Sequence, residues 1–185
     1  MEEETNPGSR PVKKLIRIAV TGPESTGKSQ LSAELAGFFG TVWVPEYARE
    51  YIDRLERPYT ERDILEISKG QLEREEAMAV KASGILFCDT ELTVTRIWSE
   101  VKYGRCDPWI LEQIKTHPYD LYLLCDIDIP WENDPQREHP HLREHLLGLY
   151  RKELESRDCR FELVSGLGPA RLDNAVRLIR KNIDL

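Results

Sequence analysis

Two textures of hydrophobic patterning alternate along this chain. Short, nearly continuous apolar runs occur at residues 15–20, 41–44, 84–88, 121–125 and 161–164. Their length, and their apolar character at consecutive positions, suit strands buried on both faces. Between them lie longer stretches in which apolar residues recur every three or four positions, the spacing of one helix face. Leu31, Leu35, Phe38 and Phe39 trace such a face over 30–39. The same periodicity predicts helices from Glu46, over 60–82, 90–102, 108–115, 141–156 and 169–183. Thr60 with Asp63 three residues later reads as a capping box opening the second of these. Residues 126–140 break the alternation, with prolines at 130, 135 and 140.

Strands alternating with helices predict an α/β fold, an open parallel sheet of five strands covered by helices on both faces. Ligands in such sheets bind beyond the carboxyl ends of the strands. Residues 22–29, Glu46, Asp89, Asp126 and Ser165 all follow directly after predicted strands, so the pattern puts them along one rim. No repeat or low-complexity linker divides the chain. Residues 1–13, acidic and then containing Pro, Gly and Ser, read as a flexible tail ahead of a single domain over 14–185.

Composition narrows the classes. With 185 residues, 40% apolar and 32% charged, the chain suits one globular domain with a sizeable core. The formal net charge of −7 and the lack of a basic stripe argue against a nucleic-acid platform. There is no long apolar run and no charged-then-apolar leader, so a cytoplasmic protein without membrane contact is expected. Cys88, Cys106, Cys125 and Cys159 show no C-x-x-C spacing and are expected to be reduced, buried thiols.

The chemistry enters right after the first strand. Gly22-Pro23-Glu24-Ser25-Thr26-Gly27-Lys28-Ser29 is a complete G-x-x-x-x-G-K-[ST] phosphate-binding loop, with a strand before it and a helix after it, as the motif requires. Residues 22–30, through Gln30, are the expected nucleotide-binding segment of a three-layer P-loop fold. Lys28 supplies charge at the β- and γ-phosphates, and the Ser29 hydroxyl is placed for Mg²⁺. The expected cosubstrate is therefore ATP with magnesium.

A kinase also needs a base for its acceptor and groups that neutralise the moving phosphoryl. Glu46 is the candidate general base; the competing role is stabilisation of the helix that begins beside it. Asp89 has the place of a strand-terminal carboxylate that holds Mg²⁺, or else it caps the next helix. Residues 128–145 read as a lid from which Arg137 reaches the phosphates, whereas Arg143 reads as part of a solvated charged loop. His139, His141 and His145 have no fourth ligand in place for a metal site. Among the aromatic residues, Tyr47 and Trp131 are the better candidates for ligand contact, with Trp98, Tyr103 and Trp109 assigned to packing.

Taken together, residues 22–29, Pro45-Glu46-Tyr47-Ala48-Arg49-Glu50, Cys88-Asp89-Thr90 and Ile129-Pro130-Trp131-Glu132-Asn133-Asp134-Pro135-Gln136-Arg137 resemble the ribosylnicotinamide kinase domain of bacterial bifunctional NAD-salvage proteins. The resemblance runs from about residue 14 through nearly the whole chain. It implies ATP-dependent phosphorylation of the 5′-hydroxyl of nicotinamide riboside and the nucleoside-monophosphate-kinase sheet order 2-3-1-4-5. Carried onto matching positions, it implies Lys28, Glu46, Asp89 and Arg137 as catalytic, Ser29 and Asp89 as metal ligands, and Glu46, Tyr47, Arg49, Trp131 and Asp134 as facing the nucleoside. The adenylyltransferase and DNA-binding regions of longer members have no counterpart in these 185 residues, so the kinase step alone is expected. Another nucleoside or deoxynucleoside kinase, or a P-loop ATPase switch with no small-molecule acceptor, fits the same motifs. The oligomeric state is left open.

Overall fold

The computed structural model describes residues 14–184; the expected tail over 1–13 lies outside them. Five strands form one parallel sheet: β1 (Ile16–Thr21), β2 (Val42–Val44), β3 (Ile85–Asp89), β4 (Leu121–Cys125) and β5 (Phe161–Val164). Their order is β2-β3-β1-β4-β5, the order the resemblance implies. Among the described residues, seven helices connect and cover them: α1 (Lys28–Phe39), α2 (Tyr47–Asp53), α3 (Glu61–Ala79), α4 (Leu92–Tyr103), α5 (Pro108–Thr116), α6 (Arg143–Ser156) and α7 (Pro169–Asn182).

Strand alternation sorts the sheet's side chains into two cores. Ile18 and Val20 of β1, with Phe87, Leu121 and Leu123, pack against Leu31 and Leu35 of α1 and Ala175 and Ile179 of α7. Ala19, Tyr122 and Leu124 face the other way, onto Ile97 of α4 and Leu146, Tyr150 and Leu154 of α6. Each fully buried Leu or Ile contributes roughly 1.5–3 kcal/mol relative to exposure. These two layers hold β1 at the sheet centre, so the loop that follows it emerges between the ends of β3 and β4. Val20 lies in register with Asp89, and Thr21 with Leu124.

Local sequence sets the helix ends. Asp63 accepts the backbone N–H of Thr60 at 2.7 Å, completing the expected capping box of α3. Arg57 together with these cap bonds holds the Asp63 carboxyl well below the usual range. The structure starts α4 at Leu92 rather than at Thr90, and its cap is Glu91, whose carboxylate accepts the N–H of Thr93 at 2.6 Å. The capping role considered for Asp89 is therefore taken by the residue two positions on. Cys88 and Cys125 are buried, as expected of strand ends, whereas Cys106 and Cys159 are only half-buried; all four are free thiols. Among the described residues, no helix is long and apolar enough to cross a membrane.

Near the amino ends of β1 and β4, Glu75 of α3 is buried and accepts the Tyr119 hydroxyl at 2.7 Å, with Arg17 at 3.6 Å. Burial pushes its carboxyl up to about 7, against the opposing pull of Tyr119 and Arg17. A carboxyl raised on folding binds its proton more tightly in the folded state. Its contribution to stability is complete below pH ~4.5, the ordinary value, and is lost as pH rises through about 7. Glu75→Gln, which keeps an acceptor for Tyr119 without the charge, is expected to flatten the fall in stability between pH 5 and 7. At pH 8 the variant gains roughly 2–3 kcal/mol. Thermal melts of both proteins across that range check this, and parallel curves would contradict it.

Candidate active site

The loop after β1 is shaped by two glycines. Gly22 has φ 131, and a Cβ there would meet the Cys125 carbonyl oxygen at 3.0 Å, so the bare backbone lets the loop pass the end of β4. Gly27, at φ 72, occupies the cap position of α1 and turns the loop into the helix. The loop is therefore delivered to the amino end of α1, where unpaired backbone N–H groups and the helix dipole favour an anion. Lys28 Nζ folds back to the Pro23 carbonyl at 2.8 Å. On the far side, the buried Arg171 of α7 donates to the Thr26 carbonyl at 2.9 Å, to the Gly166 carbonyl at 3.0 Å and to Asp128 at 2.7 Å. One guanidinium thus ties the phosphate loop to the turn after β5.

A cavity of about 310 Å³ opens from this loop, within the usual range for a small-molecule site. Residues 22–30 form one end, Glu46, Ala48, Arg49 and Ile52 one side, and Val94, Ile97, Trp98 and Val101 of α4 another, with Leu146 and Tyr150 from α6. Tyr59 and the segment from Ile129 to His139 close it. The cavity is thus polar at the phosphate loop and along the segment from Glu132 to His139, and aromatic or apolar along α4 and α6. Glu24, Glu46, Glu132 and Glu138 bring carboxylates to its wall, against Lys28, Arg49 and Arg137.

Asp89 sits beneath the loop, 1% exposed. Its Oδ2 is buried and has no hydrogen-bond partner among the described residues. Burial first, and the charge of Glu46 second, push its carboxyl up to about 6; the Ser29 hydroxyl and Lys28 oppose that rise. Glu46 precedes α2 in its cap position but makes no capping hydrogen bond with its side chain, which leaves the carboxylate free for the cavity. Beside Asp89, the fully buried Glu91 accepts the hydroxyl of Thr21 at 3.1 Å and is raised by burial.

Segment 128–142 is docked on the phosphate loop by short polar contacts. Ser25 Oγ accepts the Glu132 N–H at 2.9 Å and Arg137 Nη1 at 3.2 Å. Glu24 accepts the N–H groups of Glu138 and His139, each at 3.1 Å. Arg143 donates to the carbonyls of Ser25 and Ile129, both at 2.9 Å, so it is a structural clasp between loop and lid and not the solvated charge its sequence context suggests.

The expected site residues fall into two groups. Gly22 to Gln30, Glu46, Arg49 and Arg137 come together around the cavity, with Asp89 just below. Tyr47, Trp131 and Asp134 are not part of its wall. The Tyr47 ring packs on α3 beneath the Arg74 guanidinium, 4.7 Å from ring centroid to Cζ. The Trp131 indole N–H bonds Asn133 at 3.1 Å, and Asp134 pairs with Arg49 at 2.7 Å. The aromatic lining instead comes from Trp98, assigned to packing in the sequence reading, and from Tyr59 and Tyr150. Trp98 Nε1 donates to the Tyr59 hydroxyl at 2.8 Å, and that hydroxyl reaches Glu138 at 3.0 Å. Tyr59 carries no motif signal, and the α4 stripe of Val94, Ile97, Trp98 and Val101 has the spacing of an ordinary core face.

The AAA domain family matches residues 17–171. The trifunctional NAD biosynthesis/regulator protein NadR of Escherichia coli (strain K12) is 29% identical over 126 residues, covering 65% of this chain and 30% of that protein. The chain thus spans under a third of the length of this curated relative. A crystal structure of NadR in complex with NR superposes with a TM-score of 0.74 at 20% identity, covering 91% of this chain and 50% of that one. The deoxyadenosine kinase of M. mycoides with bound dATP follows at a TM-score of 0.55 and 15% identity, covering 89% and 99%. At these identities the structural likeness speaks for the fold.

Proposed function

We propose that this chain, which belongs to the AAA domain family by its match over residues 17–171, is an ATP-dependent kinase that phosphorylates the 5′-hydroxyl of nicotinamide riboside. The observation that carries the reading is a single cavity running from the phosphate loop at Lys28, past Glu46, to an aromatic wall at Trp98 and Tyr59. A regulatory ATPase needs no such second compartment. The similarity to NadR, and the NR bound in a structure with this fold, support the choice of acceptor. A flat cationic ring gains both stacking and cation–π energy against Trp98, and the carboxylates on the wall favour its charge.

The positions support the following mechanism. ATP phosphates bind the backbone N–H groups of residues 24–29, and Lys28 exchanges the Pro23 carbonyl for the β- and γ-phosphates. Glu46 accepts the proton of the acceptor hydroxyl as its oxygen attacks the γ-phosphorus. The bond to the β–γ bridging oxygen breaks, and that oxygen leaves with the electron pair as part of ADP. Arg137, already beside Ser25 of the loop, offsets charge on the phosphoryl group in flight. The unpartnered Oδ2 of Asp89 beside Ser29 fits a divalent cation, and these two residues would hold Mg²⁺. When bound, the ion neutralises phosphate charge and lowers the cost of the transfer.

Stacking on one aromatic ring is worth about 1–3 kcal/mol. Trp98→Ala is therefore expected to raise KM for nicotinamide riboside roughly tenfold while leaving KM for ATP unchanged. Steady-state kinetics with each substrate varied in turn test this. A rise in KM for ATP of the same size would place the aromatic wall at the nucleotide instead.

A further inference from the structure

We infer that Gly70 and Gln71 of α3, outside the cavity, form a positioning element that sets Glu46 relative to Asp89; the inference rests on the roles proposed above for those two carboxylates. Gln71 is 2% exposed and is not part of the cavity wall. Its two polar ends serve two different turns. Oε1 accepts the backbone N–H of Tyr47 at 2.9 Å. Nε2 donates to the carbonyl of Thr90 at 3.1 Å and faces that of Asp89 at 3.5 Å. Glu46 is one residue before the first contact, and Asp89 lies at the second.

The ladder between β2 and β3 ends at Val44 opposite Cys88. Beyond that point each chain turns away, and the Gln71 amide extends the pairing by one side chain to the place where the carboxylates sit. The amide presents its acceptor and its donor on separate atoms, so one side chain serves both turns. The turn it holds is strained: Thr90 has φ 68, a left-handed conformation that is uncommon for a β-branched residue.

Gly70 makes the approach possible. A Cβ there would sit 2.6 Å from Tyr47 Cζ, well inside the ring's van der Waals surface. The missing side chain lets α2 settle on α3 until the Tyr47 N–H reaches Gln71. This also accounts for Tyr47: its ring is the seat of the Glu46 turn and not a wall of the cavity.

The test uses Gln71→Met, close in shape but without either bond, and Gly70→Ala. Each is expected to lower kcat roughly tenfold or more, since small displacements of reacting groups are costly, with both KM values within about threefold of wild type. Two further readouts separate positioning from a general loss of structure. In a Glu46→Gln background, Gln71→Met should cost several-fold less than in wild type, because one of the groups it places is already removed. Tyr47→Ala combined with Gly70→Ala should regain turnover, because the added methyl then has room.

Should wild type transfer phosphate to no acceptor, the functional reading fails by itself. The positioning claim is then read by calorimetry with AMP-PNP. Mg²⁺ should tighten binding to wild type, and Gln71→Met should lose that gain while binding the metal-free analogue as wild type does. Unchanged kcat in both variants, equal losses in the two backgrounds, no relief by Tyr47→Ala, or equal tightening by Mg²⁺ would overturn the inference.

Discussion

Lys28→Ala is expected to reduce phosphoryl transfer by roughly 10³-fold or more while the protein stays folded. The ammonium is the one cation within the phosphate loop itself; in this structure it donates to the Pro23 carbonyl and its charge acts on Asp89. Charge growing on the γ-phosphoryl group and its bridging oxygen would have no other fixed cation inside the loop. Loss of a single preorganised donor at developing charge typically costs about 10²–10³ in rate, and arginine groups in related transfers supply 10³–10⁵. Because Lys28 sits at the start of α1, where alanine is well tolerated, the melting temperature should hold. Turnover and a melting curve on the same preparation check both halves. Near-normal turnover would remove the loop from the mechanism.

Glu46→Gln is expected to leave ATP affinity close to wild type and to lower turnover by roughly 10²-fold, the usual size of a general-base contribution. Glu46 lines the cavity between the phosphate loop and the acceptor wall, and its side chain makes no cap bond to α2. The substitution therefore removes basicity with little cost to the helix. Binding of AMP-PNP and single-turnover transfer separate the two effects. A drop in ATP affinity with unchanged transfer would assign Glu46 to the nucleotide and leave the acceptor without a base.

Much of this was legible in the chain because several signals agreed. At residues 121–125 and 161–164, apolar runs broken only by Glu162 coincide with β4 and β5 end to end. The phosphate loop needed no structure, since its glycines, lysine and serine are fixed by the shape of the ligand. The acidic turns were legible too, because a carboxylate that directly follows a strand lies on the rim by topology. What resisted reading was direction. Trp98 was hidden among Val94, Ile97 and Val101, because a helix facing a cavity and a helix facing a core carry the same periodicity. Tyr47 and Trp131 sat in the right segments but turn to α3 and to Asn133. Arg143 reads as solvated because nothing in the sequence shows that it joins the carbonyls of Ser25 and Ile129. Gln71 is furthest from reach: a buried amide in a polar helix becomes meaningful only once the Tyr47 and Thr90 turns are seen on either side of it.

ADP release from Mg-ATP tests the central claim most directly, run without acceptor and in parallel with nicotinamide riboside, uridine, cytidine, deoxyadenosine and thiamine. The proposed kinase shows slow release alone and strong stimulation by nicotinamide riboside, with nicotinamide mononucleotide formed in equal amount. Equal or greater stimulation by deoxyadenosine, or release that ignores every acceptor, would contradict it.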